Sequence, residues 1–175
     1  MILLLTVRPQ FTLYISIGRT SNLITMQALN DNVAEIQLSY RPTCRLGPII
    51  RTSKDAYEEL RLWFPEETIS LQERFVVLYL NRANKVLGAF IASSGGITGT
   101  VADPRLIMSV ALKAAAVGIV LAHNHPSGNL QPSAQDIEIT KKIALACGLF
   151  DIKVVDHLII TSERNYLSMK EDGHF

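Results

Sequence analysis

The stretch from residue 119 to residue 136 constrains this chain more than any other. Ile119-Val120-Leu121 is a short apolar run of the kind that forms a buried strand, and it leads directly into His123-Asn124-His125-Pro126. Alternate residues of an extended chain point the same way, so His123 and His125 project together from the strand's end. After Pro126 and six intervening residues, Ser133 caps a helix, and Asp136 falls three positions later in its first turn. That carboxylate can return to the point at which the two imidazoles aim. A single histidine at a strand end is ordinarily packing or surface. Two of them before a proline, with Ser and Asp at helix-start spacing, form a set that suits a divalent metal of the zinc type with one position open to water. Water on such an ion ionises near neutral pH and can attack a carbonyl.

The rest of the chain supplies a fold for this stretch. Residues 33–40 alternate in polarity like a half-buried strand, and residues 41–52, with Pro42, Gly47 and Pro48, read as a loop. Ser53 is placed to cap a helix over about 54–63, ended by Pro65. Residues 73–81 and 85–93 are apolar runs joined by Asn81-Arg82-Ala83-Asn84, and the spacing predicts a β-hairpin with Asn84 in the turn. Ser93-Ser94-Gly95-Gly96 reads as a break. Asp103 and Pro104 open a helix expected to run through Val117 and stop at Gly118. The helix capped by Ser133 is expected to stop at Gly148, and residues 152–155 and 158–161 are expected to form two last strands. Strands and helices mix throughout, which predicts an α/β domain with helices packed against a sheet.

At 175 residues the chain is long enough for one full core. Lys and Arg number 17 against 16 Asp and Glu, a balance that supplies no basic footprint for nucleic acid or an anionic membrane, although a local patch is compatible with it. Two cysteines, Cys44 and Cys147, lack the spacing of a disulfide scaffold, which favours a reducing cytoplasm. Residues 1–25 differ from the remainder: they are apolar, and Arg8 and Arg19 are their only charges. No basic region precedes their apolar start, as a signal peptide requires, and Arg8, Pro9, Gln10, Gly18 and Arg19 interrupt any membrane span. We read them as a peripheral extension or an upstream start, with Met26 opening the functional domain and an edge strand over residues 11–17 as the competing reading. Residues 26–70 then hold a strand, a loop and a helix, and residues 71–175 the main domain. The sequence leaves the oligomeric state open.

The pattern His123-x-His125-Pro126-x6-Ser133-x-x-Asp136 resembles the JAMM (MPN+/JAB) metalloprotease signature. The wider stretches His123-Asn124-His125-Pro126-Ser127-Gly128 and Asp156-His157-Leu158-Ile159-Ile160 resemble the RadC branch of that family, over about residues 71–168. Nothing before Leu71 resembles the helix-hairpin-helix module that RadC proteins often carry. The resemblance implies a mixed β-sheet flanked by helices, in a JAMM or cytidine-deaminase-like architecture. It implies one zinc ion held by His123, His125 and Asp136, and an upstream glutamate acting as base on the metal's water. Glu73 in Gln72-Glu73-Arg74-Phe75 is the best match; Glu66 and Glu67 are weaker rivals, and an exposed strand-edge carboxylate is the alternative reading of Glu73. As base, Glu73 would pass its proton on to the leaving amine, and Ser133 would donate a hydrogen bond to the developing oxyanion. Asp156 and His157 lie outside the metal motif and read as support, since a metal-bound histidine commonly needs a partner for its other nitrogen. His174, near the C-terminus, reads as exposed. Where many RadC-like proteins have Pro-Arg-Glu, this chain has Pro104-Arg105-Leu106.

These observations support a zinc-dependent metallopeptidase cleaving a peptide or isopeptide bond of a protein or peptide substrate. A DNA-repair-associated RadC-family role with a metal site and no peptidase activity is the alternative, weakened by the neutral charge. A metal-bearing interaction domain is a third reading, disfavoured because structural zinc sites are usually closed by four protein ligands. Zinc deaminase chemistry requires H-x-E and P-C-x-x-C, and neither occurs; H-E-x-x-H is absent as well.

Overall fold

A computed structural model describes residues 47–95 and 102–175. The expected extension at 1–25, the strand at 33–40, the first half of the loop at 41–52, and Cys44 lie outside the described residues. Within them the elements are α1 (Ser53–Arg61), β1 (Arg74–Leu80), β2 (Val86–Ser94), α2 (Pro104–Lys113), β3 (Gly118–Asn124), α3 (Ala134–Gly148), β4 (Lys153–Ile160) and β5 (Tyr166–Ser168). The five strands form one sheet in the order β2-β1-β3-β4-β5. β3 and β4 are parallel, joined through α3, and the other pairs are antiparallel, so the sheet is mixed as expected. No helix among the described residues is long and apolar enough to cross a membrane.

Both faces of the sheet are covered, which is why β1 and β3 read as unbroken apolar runs rather than alternating ones. Phe75, Val77, Tyr79, Ile119 and Leu121 pack with Ile107 and Met108 of α2 and Ile143 and Cys147 of α3. On the opposite face Val76, Leu78, Val120, Ala122 and Leu158 pack with Ala56 and Leu60 of α1 and with Phe64 and Ile69 after it. Cys147 is free and buried, and burial pushes its thiol up to about 11.

Several boundaries differ from the sequence reading, each for a local reason. Thr52, not Ser53, caps α1: its hydroxyl accepts from Asp55 N at 3.1 Å, and Asp55 Oδ2 accepts from Thr52 N at 3.0 Å, completing a capping box. Ser53 instead donates to Glu171 at 2.7 Å. The hairpin is present with Asn84 left-handed at φ 54°, and β2 continues through Ser93 and Ser94 opposite Phe75 and Arg74. α2 stops at Lys113 because Ala115 turns left-handed (φ 50°) and Val117 N already bonds Leu80 O in the sheet. Gly118 therefore starts β3, where a Cβ would come within 3.3 Å of the Val155 side chain. Gly148 is the last residue of α3, with Leu149 at the cap and the left-handed turn at Asp151. The two expected last strands are one continuous strand, β4, with Asp156 and His157 buried inside it, and β5 follows unforeseen.

The pairing of β4 with β3 contains an extra residue. Ile119 pairs with Val154, but its neighbour Val120 pairs with Asp156, so Val155 has no partner position. This bulge switches the parity of β4. Val154 faces the α2/α3 side, and so does His157, three residues on; without the bulge His157 would point at α1.

Candidate metal centre

His123 is the sixth residue of β3 and is buried on the α3 side; His125 follows the strand and is anchored by its backbone N–H to Ile160 O at 3.0 Å. Ser133 caps α3 as expected, and a reciprocal capping box fixes Asp136 in the first turn. Asp136 N donates to Ser133 Oγ at 3.1 Å, while Ser133 N and Oγ donate to Asp136 Oδ2 at 2.7 and 2.6 Å. The geometry that starts the helix thus also orients the carboxylate.

The three expected ligands come together. His123 Nε2 and His125 Nε2 are 2.9 Å apart, with Asp136 Oδ1 3.2 Å from the first and Oδ2 3.5 Å from the second. His123, His125 and Asp136 form a group able to hold a metal ion, each offering one ligand atom. The donor set fits such an ion. The other nitrogen of each imidazole is engaged elsewhere: His125 Nδ1 donates to Asn129 O at 2.6 Å, and His123 Nδ1 lies 2.8 Å from His157 Nε2. His125 therefore turns an unprotonated Nε2 toward Asp136 when the ring is neutral. Two nitrogens and a carboxylate this close together can share a cation, and two imidazoles with one carboxylate are a ligand set of the kind zinc takes.

Electrostatics follow from the same crowding. Burial works against charge on His125, but its bonds to Asp136 and Asn129 and the negative charges of Asp136 and Glu73 prevail, so its pKa is held above the ordinary value. Burial works against the Asp136 carboxylate too, and the hydrogen bonds from both histidines and Ser133 overcome it, holding it far below the usual range. Burial, reinforced by the nearby His123, pushes His157 well below the usual histidine value. Phe75 closes the inner wall, stacked with His123 at 6.1 Å and edge-on to His157 at 5.3 Å. Outward the site is open: the side chains of His125 and Asp136 keep 13% and 18% of their exposure.

Glu73 lies one residue before β1, half-buried. Phe75 pairs with His123, so two steps back along β1 lead toward His125, and the charge of Glu73 acts on that ring. Glu66 is held instead by Arg61 at 2.7 Å and Arg164 at 3.6 Å, and is exposed. Asp156 faces away from the metal group and is held by Ser168 Oγ at 2.8 Å and His157 N at 2.7 Å. His174 is half-buried rather than exposed, with Nε2 3.7 Å from Asp172 Oδ2.

Two residues escaped the sequence reading. Asn124, the residue between the two histidines, is fully buried on the α1 side. Its amide donates to Ile69 O at 2.7 Å and Gln72 O at 2.9 Å, and its oxygen accepts from Arg74 N at 2.8 Å, so it clamps both neighbours of Glu73. Thr140 is buried beside His157 Nδ1 at 2.6 Å and donates to Asp136 O at 2.5 Å. Its place four residues after Asp136, on the same helix face, was the available signal.

Comparison with known proteins agrees with this geometry. Residues 50–174 match the family described as the RadC-like JAB domain. The chain belongs to that family. The matched stretch takes in α1 together with the whole sheet. Relatives include a UPF0758 protein of Flavobacterium johnsoniae, 45% identical over 126 residues, covering 72% of this chain and 53% of that protein. A UPF0758 protein of Porphyromonas gingivalis is 38% identical over 141 residues, covering 81% of this chain and 62% of the relative. One of Bacillus cereus is 32% identical over 160 residues, 91% of this chain and 67% of the relative. The chain thus spans about half to two thirds of the length of the relatives it matches, and their shared name states no activity.

Proposed function

We propose that the chain is a zinc-dependent metallopeptidase of the JAMM type, hydrolysing a peptide or isopeptide bond in a protein or peptide substrate. The observation that carries this reading is the convergence of His123 Nε2, His125 Nε2 and the Asp136 carboxylate, with the second nitrogen of each ring tied elsewhere. One zinc ion bound there supplies Lewis acidity and makes water a usable nucleophile near neutral pH. Glu73 is the general base: it takes a proton from the attacking water and hands it to the leaving amine. Its half-buried position and its influence on His125 support that role. Ser133 donates to the oxyanion, which requires its hydroxyl proton to turn from Asp136 Oδ2 toward the substrate oxygen. Asn124 positions Glu73 by holding the backbone on either side of it.

Elemental analysis of the purified chain and of His123→Ala is the first test, followed by hydrolysis of a peptide and isopeptide library. We expect one zinc per chain, lost in His123→Ala, and hydrolysis that falls about a hundredfold or more in Glu73→Gln. Equal activity of the zinc-loaded chain and Glu73→Gln, including none, would sink the peptidase reading. A salt-dependent shift of labelled DNA by the zinc-loaded chain, without hydrolysis, would favour the DNA-associated role instead.

A further inference from the structure

We propose that Thr140 and His157 form a hydrogen-bond wire, ended on the backbone carbonyl of Asp136, that fixes the tautomer of His123 and keeps its Nε2 free for a metal ion. The inference rests on the metal-binding half of the function proposed above and not on hydrolysis.

The direction of the wire follows from its fixed end. Asp136 O carries no proton, so Thr140 Oγ1, 2.5 Å away, donates to it. A hydroxyl has one proton. Toward His157 Nδ1, at 2.6 Å, Thr140 can then only accept, and His157 carries its proton on Nδ1. The neutral ring leaves a lone pair on Nε2, which accepts at 2.8 Å from His123, so the His123 proton sits on Nδ1. His123 consequently faces His125 and Asp136 with an unprotonated Nε2. The opposite order would leave a hydroxyl lone pair facing a carbonyl oxygen at 2.5 Å. His157 and Thr140 are fully buried and His123 is buried as well, so water does not scramble the wire from within.

The arrangement couples three elements. Asp136 supplies its side chain as a ligand and its main chain as the end of the wire, and Thr140 is four residues on, in its usual bond to the i−4 carbonyl. The bulge at Val155 turns His157 to the side where it meets both Thr140 and His123. Thr140 and His157 are positioning residues: they act on the metal through His123.

Long-range nitrogen–proton NMR on the metal-free chain at alkaline pH reads the tautomers directly. We expect Nδ1–H on both His157 and His123. Zinc affinity, measured by competition with a chromophoric chelator, should fall about ten- to a hundredfold in the near-isosteric Thr140→Val and stay near that of the unaltered chain in Thr140→Ser, which restores the hydroxyl. A proton on His157 Nε2 in the unaltered chain would overturn the inference, as would a cooperatively melting Thr140→Val that binds zinc undiminished. Should Thr140→Val fail to fold, the tautomers of the unaltered chain decide alone. Ordered tautomers and tight zinc without hydrolysis leave the wire standing and refute the peptidase; hydrolysis with the reverse tautomers does the opposite.

Discussion

Asn124→Leu is the substitution whose outcome the structure specifies most closely. Leucine keeps the branched heavy-atom shape and is larger rather than smaller, so no cavity forms, and the loss counted here is polar. Three bonds disappear, to Ile69 O, Gln72 O and Arg74 N, at 2.7, 2.9 and 2.8 Å. A neutral bond is worth about 1 kcal/mol net, and an orphaned buried partner costs about 1–3 kcal/mol. Gln72 and Arg74 are half-buried, so water can reach part of the vacated region, and the low end of that range applies there. The sum is a loss of about 3–4 kcal/mol. With a urea dependence of about 2 kcal/mol per molar, the unfolding midpoint falls by about 2 M. The Arg74 amide, deprived of its acceptor, should also exchange faster with solvent than its neighbours in β1. Asn124→Asp refines the test, because it keeps an acceptor for Arg74 N while turning a carboxylate toward two carbonyls. Burial and those carbonyls raise the new acid's pKa, so its penalty is full at neutral pH and shrinks as pH falls through that raised value. A midpoint shift below about 0.5 M in Asn124→Leu, with Arg74 exchange unchanged, would refute the clamp.

Two further outcomes follow from residues around the site. Burial raises the pKa of Asp156, and its bonds from Ser168, His157 N and Lys170 N only partly restore it. The folded chain therefore holds that proton more tightly than the unfolded one, and stability falls as pH rises from the ordinary carboxylate value through the raised one. Relative to Asp156→Asn, the unaltered chain should be favoured most in acid, and urea midpoints that diverge in the opposite sense would sink this. Gly128 sits at φ +79° with nothing near a prospective Cβ, so Gly128→Ala strains the backbone without a clash. That strain costs about 1 kcal/mol. Because it falls beside Asn129, whose carbonyl holds His125, zinc affinity should fall about fivefold. A variant that melts and binds zinc like the unaltered chain would show that this loop does not orient His125.

Much of the site was legible because its parts are close in sequence. His123 and His125 share a direction by strand alternation, and Asp136 is delivered by a cap that needs only Ser133 three residues before it. The hairpin was legible for the same reason, since its turn and both its strands lie within about twenty residues. Element ends were less so. Gly118 looked like a helix stop, yet the stop is made by Ala115, a residue with no intrinsic preference for a left-handed turn. Asp156 and His157 looked like a gap between strands because buried polar residues are indistinguishable from exposed ones until their partners are known.

The sequence by itself determined the α/β class, the family and the His123, His125 and Asp136 group that could hold a metal ion, since each depends on residue identity and short-range periodicity. Only the tertiary structure decided what serves that set. It brings Glu73 toward His125 through antiparallel pairing across about fifty residues, and it turns Asn124 to the opposite face, where it grips the backbone on either side of Glu73. It also places one unpaired residue, Val155, in β4, and that single shift of parity brings His157 onto His123. A bulge has no reliable local signal, because which residue is left over depends on the register of two strands and not on either alone.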